Sequence, residues 1–323
     1  MSAPWTRRAA VSALGGAVVV PCAALAQQPE PPGQPDAGAF LETAFDKAAR
    51  FVVPVAIDGR GPFEFVIDTG ANRSVVSQAV AQACSLPSAG SAPVHGIVSV
   101  EVAPLVKVKK LRVGEVTSFN MELPVVASSK IGADGLLGLD AMKGRRITLG
   151  FRDQTFRVAA SAHGATIAPG RDTRIGRAYE PVTVPARYRS GQLVIIDAEA
   201  AGQHVLAFLD SGSQVTVANK VVRERVMRVR PDISAKAIPQ ELISATGQRA
   251  PAQFAPLPGL RLGGLRIADP LVAYADLHIF NLWELQNEPA ILVGVDVLRR
   301  FDQVTFDFGR KVIVFWPPKP VRG

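Results

Sequence analysis

Phe65-Val66-Ile67-Asp68-Thr69-Gly70-Ala71-Asn72-Arg73-Ser74 is the stretch on which the fold turns. An apolar run ends abruptly in an aspartate followed by Thr-Gly. Such a run reads as a buried strand, so the carboxylate at its end is drawn out of water. A buried carboxylate without a partner is costly, and the sequence must supply that partner elsewhere.

A repeat supplies it. Phe51 to Asp68 reads FVVPVAIDGRGPFEFVID, and Leu193 to Asp210 reads LVIIDAEAAGQHVLAFLD. The two align without a gap. Each has an apolar strand, a polar turn containing Gly, and a second apolar strand ending in Asp, which is the pattern of a hairpin. Asp68-Thr69-Gly70-Ala71 is then matched by Asp210-Ser211-Gly212-Ser213. Further on, Gly135-Leu136-Leu137-Gly138-Leu139-Asp140 is matched by Ile291-Leu292-Val293-Gly294-Val295-Asp296. Each copy closes with a strand, at Arg146–Phe151 and Gln303–Phe308. The second copy is 14 residues longer between its Asp and its later Gly (210 to 294 against 68 to 138).

Helices are expected at Val75 to Ala83 and Val217 to Arg228, stopped by Pro87 and Pro231. Shorter ones are expected near Asp140-Ala141-Met142 and at Asp296 to Arg300, with Asp140 and Asp296 as caps. The rest alternates or runs apolar in short segments, as strands do. Two copies of one β-unit predict an all-β protein of two tandem domains, residues 39–160 and 181–318. A Pro-rich linker (27–38) precedes them and a Gly/Arg-rich connector (161–180) joins them.

Bulk properties agree. The chain has 323 residues, 48% hydrophobic and 20% charged, with 28 Gly and 25 Pro, a turn-rich composition. Arg7-Arg8, the apolar stretch Ala9–Leu25 and Ala24-Leu25-Ala26 read as an export signal over residues 1–26. Thr6-Arg7-Arg8 resembles a twin-arginine signal. The expected location is periplasmic or secreted, with membrane attachment only if the signal stays as an anchor. Removing its two arginines takes the net charge from +8 to about +6. The basic residues are scattered, and Lys107, Lys109 and Lys110 alternate with Val108 as a solvated strand face would. The reading therefore excludes nucleic acid. Cys84 alone remains after the signal, so no internal disulfide forms. His95, His163, His204 and His278 lack metal-ligand spacing, and the reading assigns no metal and no cofactor.

The duplicated aspartates answer the opening question. A pseudo-twofold axis would bring Asp68 and Asp210 face to face. Two close carboxylates cannot both ionise cheaply, so they share one proton. The ionised oxygen can then take a proton from water while the protonated acid polarises a carbonyl. Gly70 and Gly212 let the backbone pass close to the carboxylates, and the Thr69 and Ser211 hydroxyls can bond backbone across the axis.

These motifs resemble the retropepsin-type aspartic proteases of the clan that includes pepsin, in particular bacterial exported members. The likeness spans both domains. It implies closed β-barrel domains in a pseudo-twofold bilobal enzyme, an aspartic endopeptidase acting on peptide or protein substrates through Asp68 and Asp210. A monomer with an intramolecular dyad is favoured, a dimer being the alternative. It also implies flaps over the substrate, for which Val94-His95-Gly96-Ile97 and Ala245-Thr246-Gly247-Gln248 are the candidates. Neither has the family's full glycine-rich tip or the flap tyrosine of pepsins, so a peptide- or protein-binding module of the same fold is the competing reading. Finally, the family's hydroxyl after the triplet bonds the outer oxygen of the aspartate. Ser213 has it and Ala71 does not, which assigns the charge to Asp210 and the proton to Asp68.

Overall fold

The computed structural model describes residues 40–42, 44–45, 50–142, 144–161, 180–244 and 248–319. The stretches expected to be an export signal and a linker, most of the expected connector, and the flap residues Ala245, Thr246 and Gly247 lie outside them.

Two short strands, β1 (Phe40–Glu42) and β2 (Ala44–Phe45), lead in. The first lobe follows with β3 (Phe51–Ile57), β4 (Arg60–Ile67), β5 (Val75–Ser77) and helix α1 (Gln78–Ala83). It continues with β6 (Ser88–His95), β7 (Val100–Val113), β8 (Val116–Val126), helix α2 (Ser128–Ile131) and β9 (Gly135–Leu137). The order β3-β4-β9-β5-β8-β7 returns on itself through a β3–β7 pairing, closing a six-stranded barrel. Closure removes the sheet edges that would otherwise be left open. Phe65, Val66 and Ile67 are all buried, because β4 is covered on both faces just before Asp68.

Next come β10 (Arg145–Gly150), β11 (Thr155–Ala160) and β12 (Val182–Arg189). The second lobe repeats the plan with β13 (Gln192–Ala200), β14 (Gln203–Leu209), β15 (Val217–Ala218) and helices α3 (Lys220–Val229) and α4 (Pro231–Ser234). Then come β16 (Ile238–Ile243), β17 (Arg249–Pro256), β18 (Leu260–Leu262), β19 (Leu265–Ile267) and β20 (Leu271–Tyr274). Helix α5 (His278–Leu282), β21 (Ala290–Val293) and helix α6 (Val295–Leu298) follow, and β22 (Gln303–Asp307) and β23 (Val312–Trp316) end the chain.

The lobes share a sheet. Its order is β1-β11-β10-β22-β23-β12, so the first repeat fills one half, the second repeat the other, and the two meet at β10 and β22. In its centre Thr148 sits opposite Thr305, their hydroxyls 3.0 Å apart. The closing strand of each repeat therefore lies outside its own lobe's sheet core and pairs with its counterpart.

The expected long helices begin later than their apolar pattern indicated. Val75–Ser77 and Val217–Ala218 are strands, paired to the buried strands β9 and β21. Ser77 and Asn219 then cap α1 and α3, accepting the N–H groups of Val80 and Val222. Pro231 does not simply stop α3 but opens α4, a position suited to its fixed φ and missing N–H. The turn after Gly138 is a 3₁₀ turn, Leu139–Ala141.

Candidate active site

β4 and β14 deliver Asp68 and Asp210 to the floor of a cleft between the lobes. The strands end there because each aspartate's N–H is the last in the ladder, bonded to Leu137 O at 3.0 Å and to Val293 O at 2.9 Å. The short apolar strands β9 and β21 thus lie beneath the two loops. Asp68 is 8% exposed and Asp210 4%, and their side chains hydrogen-bond each other.

The two loops are built alike. The Gly70 N–H donates to Asp68 Oδ1 at 2.9 Å, and the Gly212 N–H to Asp210 Oδ1 at 2.8 Å. Each glycine also passes the opposite carboxyl. A Cβ at Gly70 would lie 2.4 Å from Asp210 Cγ, and one at Gly212 would lie 2.4 Å from Asp68 Cγ. Only glycine fits. Thr69 Oγ1 donates to the Leu209 carbonyl at 3.0 Å and accepts the Ser211 N–H at 3.0 Å. Reciprocally, Ser211 Oγ donates to the Ile67 carbonyl at 2.8 Å and accepts the Thr69 N–H at 3.1 Å. These four bonds cross the pseudo-axis and fix one loop to the other.

Burial pushes both carboxyls above the ordinary carboxylate range. Asp210 is raised well above it, by burial first and by the adjacent charge of Asp68 second. Asp68 is raised as well, burial outweighing its contacts with Asp210, the Gly70 and Ala71 N–H groups and the nearby Arg50 charge, which favour ionisation.

Ser213 does not fill the role expected of it. Its hydroxyl donates to the Val215 carbonyl at 2.8 Å, and a hydroxyl has only one proton to give. Asp210 receives the Ser213 backbone N–H instead, at 3.2 Å. The reason for placing the charge on Asp210 is therefore absent. Asp140 and Asp296 also depart from simple caps. Asp140 does accept the Ala141 N–H, but Oδ1 also takes the Ser74 N–H at 2.9 Å and the Ser74 hydroxyl at 2.6 Å. Asp296 binds the Thr216 N–H and hydroxyl at 3.1 and 2.7 Å. Ser74 Oγ and Thr216 Oγ1 in turn accept the Gly138 and Gly294 N–H groups, both at 3.0 Å. Ser74 and Thr216 thereby tie each aspartate loop to the apolar-apolar-Gly segment below it.

A second tie crosses between lobes. Gln192 Nε2 donates to the Gly70 carbonyl at 2.9 Å and to Asn72 Oδ1 at 2.8 Å, while Asn72 Nδ2 donates to the Ser190 carbonyl at 3.0 Å. Sequence reasoning passed over Ser74, Thr216 and Gln192. The signal was there: Ser74 and Thr216 each stand six residues beyond an aspartate, and Gln192 immediately precedes the second aligned strand, where Arg50 precedes the first.

The β6–β7 hairpin covers the cleft, its tip at Gly96–Ser99. The His95 ring stacks on that of His278, with centroids 5.3 Å apart and Nδ1 of His95 3.0 Å from Nε2 of His278. The Ile279 N–H donates to the Ile97 carbonyl at 3.1 Å, and the Ser99 N–H to Gln248 Oε1 at 3.0 Å. His95, Ile97 and Ser99 thus bridge from one lobe to the other, while the Gly96 N–H bonds Ser99 O within the hairpin. Beneath them is a cavity of about 270 Å³, bordered by both aspartates, Leu136, Leu292 and Trp283. Trp283 packs on Phe208 with ring centroids 4.3 Å apart and also faces this cavity, so it serves both packing and the cleft wall. Among the described residues no three His, Cys, Asp or Glu side chains cluster as metal ligands would.

A family model for gag-polyprotein putative aspartyl proteases matches residues 53–144, and one for aspartyl proteases matches residues 196–297. The chain belongs to the retropepsin-like aspartyl protease family, as two fused domains. No curated protein matches it. The match in each half coincides with one lobe and one aspartate loop, which supports a protease function for the pair.

Proposed function

We propose that the protein is an aspartic endopeptidase whose catalytic residues are Asp68 and Asp210. The observation that carries this reading is the hydrogen-bonded contact of two buried carboxyls at the floor of a covered cleft. The two carboxyls share one proton, and the steps with Asp68 ionised and Asp210 protonated are equivalent to their mirror image. A water bound between them gives a proton to Asp68, and its oxygen bonds to the scissile carbonyl carbon. Asp210 gives its proton to the carbonyl oxygen, producing a tetrahedral diol. On collapse the C–N bond breaks, the amine nitrogen takes the proton from Asp68, and a diol hydroxyl returns one to Asp210. The bonds among Thr69, Ser211, Gly70 and Gly212 hold both acids in place before substrate arrives.

Both acids belong to one chain, so a monomer carries the whole site. Export, read from Arg7-Arg8 and the apolar stretch after them, places the enzyme in the periplasm or outside the cell; N-terminal sequencing of protein recovered from that fraction tests it by showing cleavage after Ala26 or an intact start. The central test is peptide cleavage by Asp68→Asn and Asp210→Asn. Loss of turnover in both single variants, with folding retained by circular dichroism, is the expected result. Full activity in either variant would remove the dyad mechanism, and a wild type that binds peptides without cutting them would favour a binding module.

A further inference from the structure

A second cavity, of about 520 Å³, adjoins the Asp210 loop. Its walls are the pseudo-twofold counterparts of those of the first. The loop Gly212–Val215 replaces Gly70–Arg73, β16 replaces β6, and α2 replaces α5. The chemistry of the replacement differs. Where α5 and its cap offer Ile279, Leu282 and Trp283, α2 offers Ser129, Lys130 and Ile131. Arg50, 6% exposed and donating to the Ile131 carbonyl at 2.9 Å, adds a second positive charge to the wall. Glu241 is the acid on this wall, and it is held by Arg249 at 2.7 Å.

Lys130 already grips a carboxylate at the rim. Its ammonium is 2.8 Å from Glu101 Oε2, on the flap strand β7. Both side chains are over two-fifths exposed, at 41% and 44%, so the pair is a weak one. Glu101 has a further partner in Gln248 Nε2 at 2.9 Å and stays hydrogen-bonded if Lys130 is drawn away. The arrangement can exchange the flap's carboxylate for one that arrives with a substrate.

We propose that the half of the cleft beside Gly212–Val215 selects acidic side chains of the substrate through Lys130, with Arg50 behind it, while the half beside Gly70–Arg73 takes apolar ones. This rests on the endopeptidase reading. The asymmetry predicts which side of the cut is acidic only relative to the enzyme's halves; sequencing the products reads the direction along the peptide.

The test is a digest of a mixed peptide library by the full chain, with Lys130→Gln and Lys130→Glu beside it. Acidic residues should be enriched on one side of the cut and not on the other. The ratio of kcat/KM for an acidic peptide over its alanine counterpart should fall about fivefold in Lys130→Gln and about twenty-fold in Lys130→Glu. Cleavage without acidic enrichment, or enrichment that survives Lys130→Glu, overturns the proposal and leaves the peptidase reading standing. If the wild type cuts nothing, the peptidase reading fails, and the same two peptides are compared by fluorescence anisotropy on the uncut protein. Tighter binding of the acidic peptide that is lost in Lys130→Glu supports the proposal, and equal binding overturns it.

Discussion

In the first lobe β7 runs unbroken for 14 residues from the flap to the barrel seam, and β8 for 11 residues back again. In the second lobe the same two paths are cut into β17 with β18 and β19 with β20. Prolines lie at the cuts, Pro256 and Pro258 on one path and Pro270 on the other. A proline cannot donate to a ladder, yet β7 and β8 run on through Pro104 and Pro124, so proline alone does not part the strands. Local bonds cover the breaks, from Leu257 N–H to the Pro270 carbonyl and from Ala201 N–H to the Pro258 carbonyl, both at 2.8 Å. Near the aspartates no such divergence exists. The glycine N–H bonds, the crossed hydroxyls and the Ser74 or Thr216 ties agree between lobes to within a few tenths of an ångström. The wall of the barrel tolerates interruption; the loop that holds a carboxyl beside its twin does not.

The largest effect should come from breaking both loops in the same way. Gly70→Ala and Gly212→Ala each drive a methyl into the opposite carboxyl, and kcat/KM should fall by about a thousandfold or more in either. A loss in one lobe only would show that the loops are not equivalent. The crossed hydroxyls come next. Thr69→Val and Ser211→Ala each remove a donor and leave a buried N–H unpaired, at a cost of about 2–4 kcal/mol in urea unfolding.

The acids themselves link the loops to pH. Asp210 keeps its proton in the folded protein to a higher pH than in the unfolded chain, where a carboxyl releases it near about 3.9. Its contribution to stability is therefore fully present below that value and is lost as pH rises through the folded one. Asp210→Asn escapes this loss, so its melting temperature relative to wild type should climb between about pH 4 and neutrality. Asp68→Asn should show a climb of the same sign, since burial raises Asp68 as well. A flat difference across that window would contradict the upward shift.

Smaller still are the ties below the loops. Ser74→Ala and Thr216→Val should each cost about 1–2 kcal/mol, the second aggravated because burial already raises Asp296. The smallest effect is expected of Ser213→Ala. Its hydroxyl bonds Val215, so the acidic limb of the pH–rate profile should stay in place and stability should drop by less than about 1 kcal/mol.

Much of this was legible before any coordinates. The gapless repeat gives the two lobes, of which the first closes as a barrel, and the duplicated Asp-Thr/Ser-Gly gives the meeting of Asp68 and Asp210, because hairpin grammar and a buried charge are local facts of the chain. What stayed hidden is non-local. Val75 and Val217 carry a helical pattern, yet pairing to β9 and β21 wins them for strands. Ser213 has several carbonyls in reach, and only the turn geometry decides for Val215. Gln192 meets Gly70 across 122 residues of sequence. His95, read as a flap candidate, and His278, passed over for want of metal spacing, meet only because the flap of one repeat folds over the other.

The shared sheet carries one more consequence. β10 and β22 pair along five residues, and the crossed hydroxyl bonds lie above them. A chain severed between Ser161 and Glu180 would yield two halves, each with an open strand edge and one carboxyl. Mixed together, those halves have a ready template for finding each other, and turnover would return with second-order kinetics as they dock.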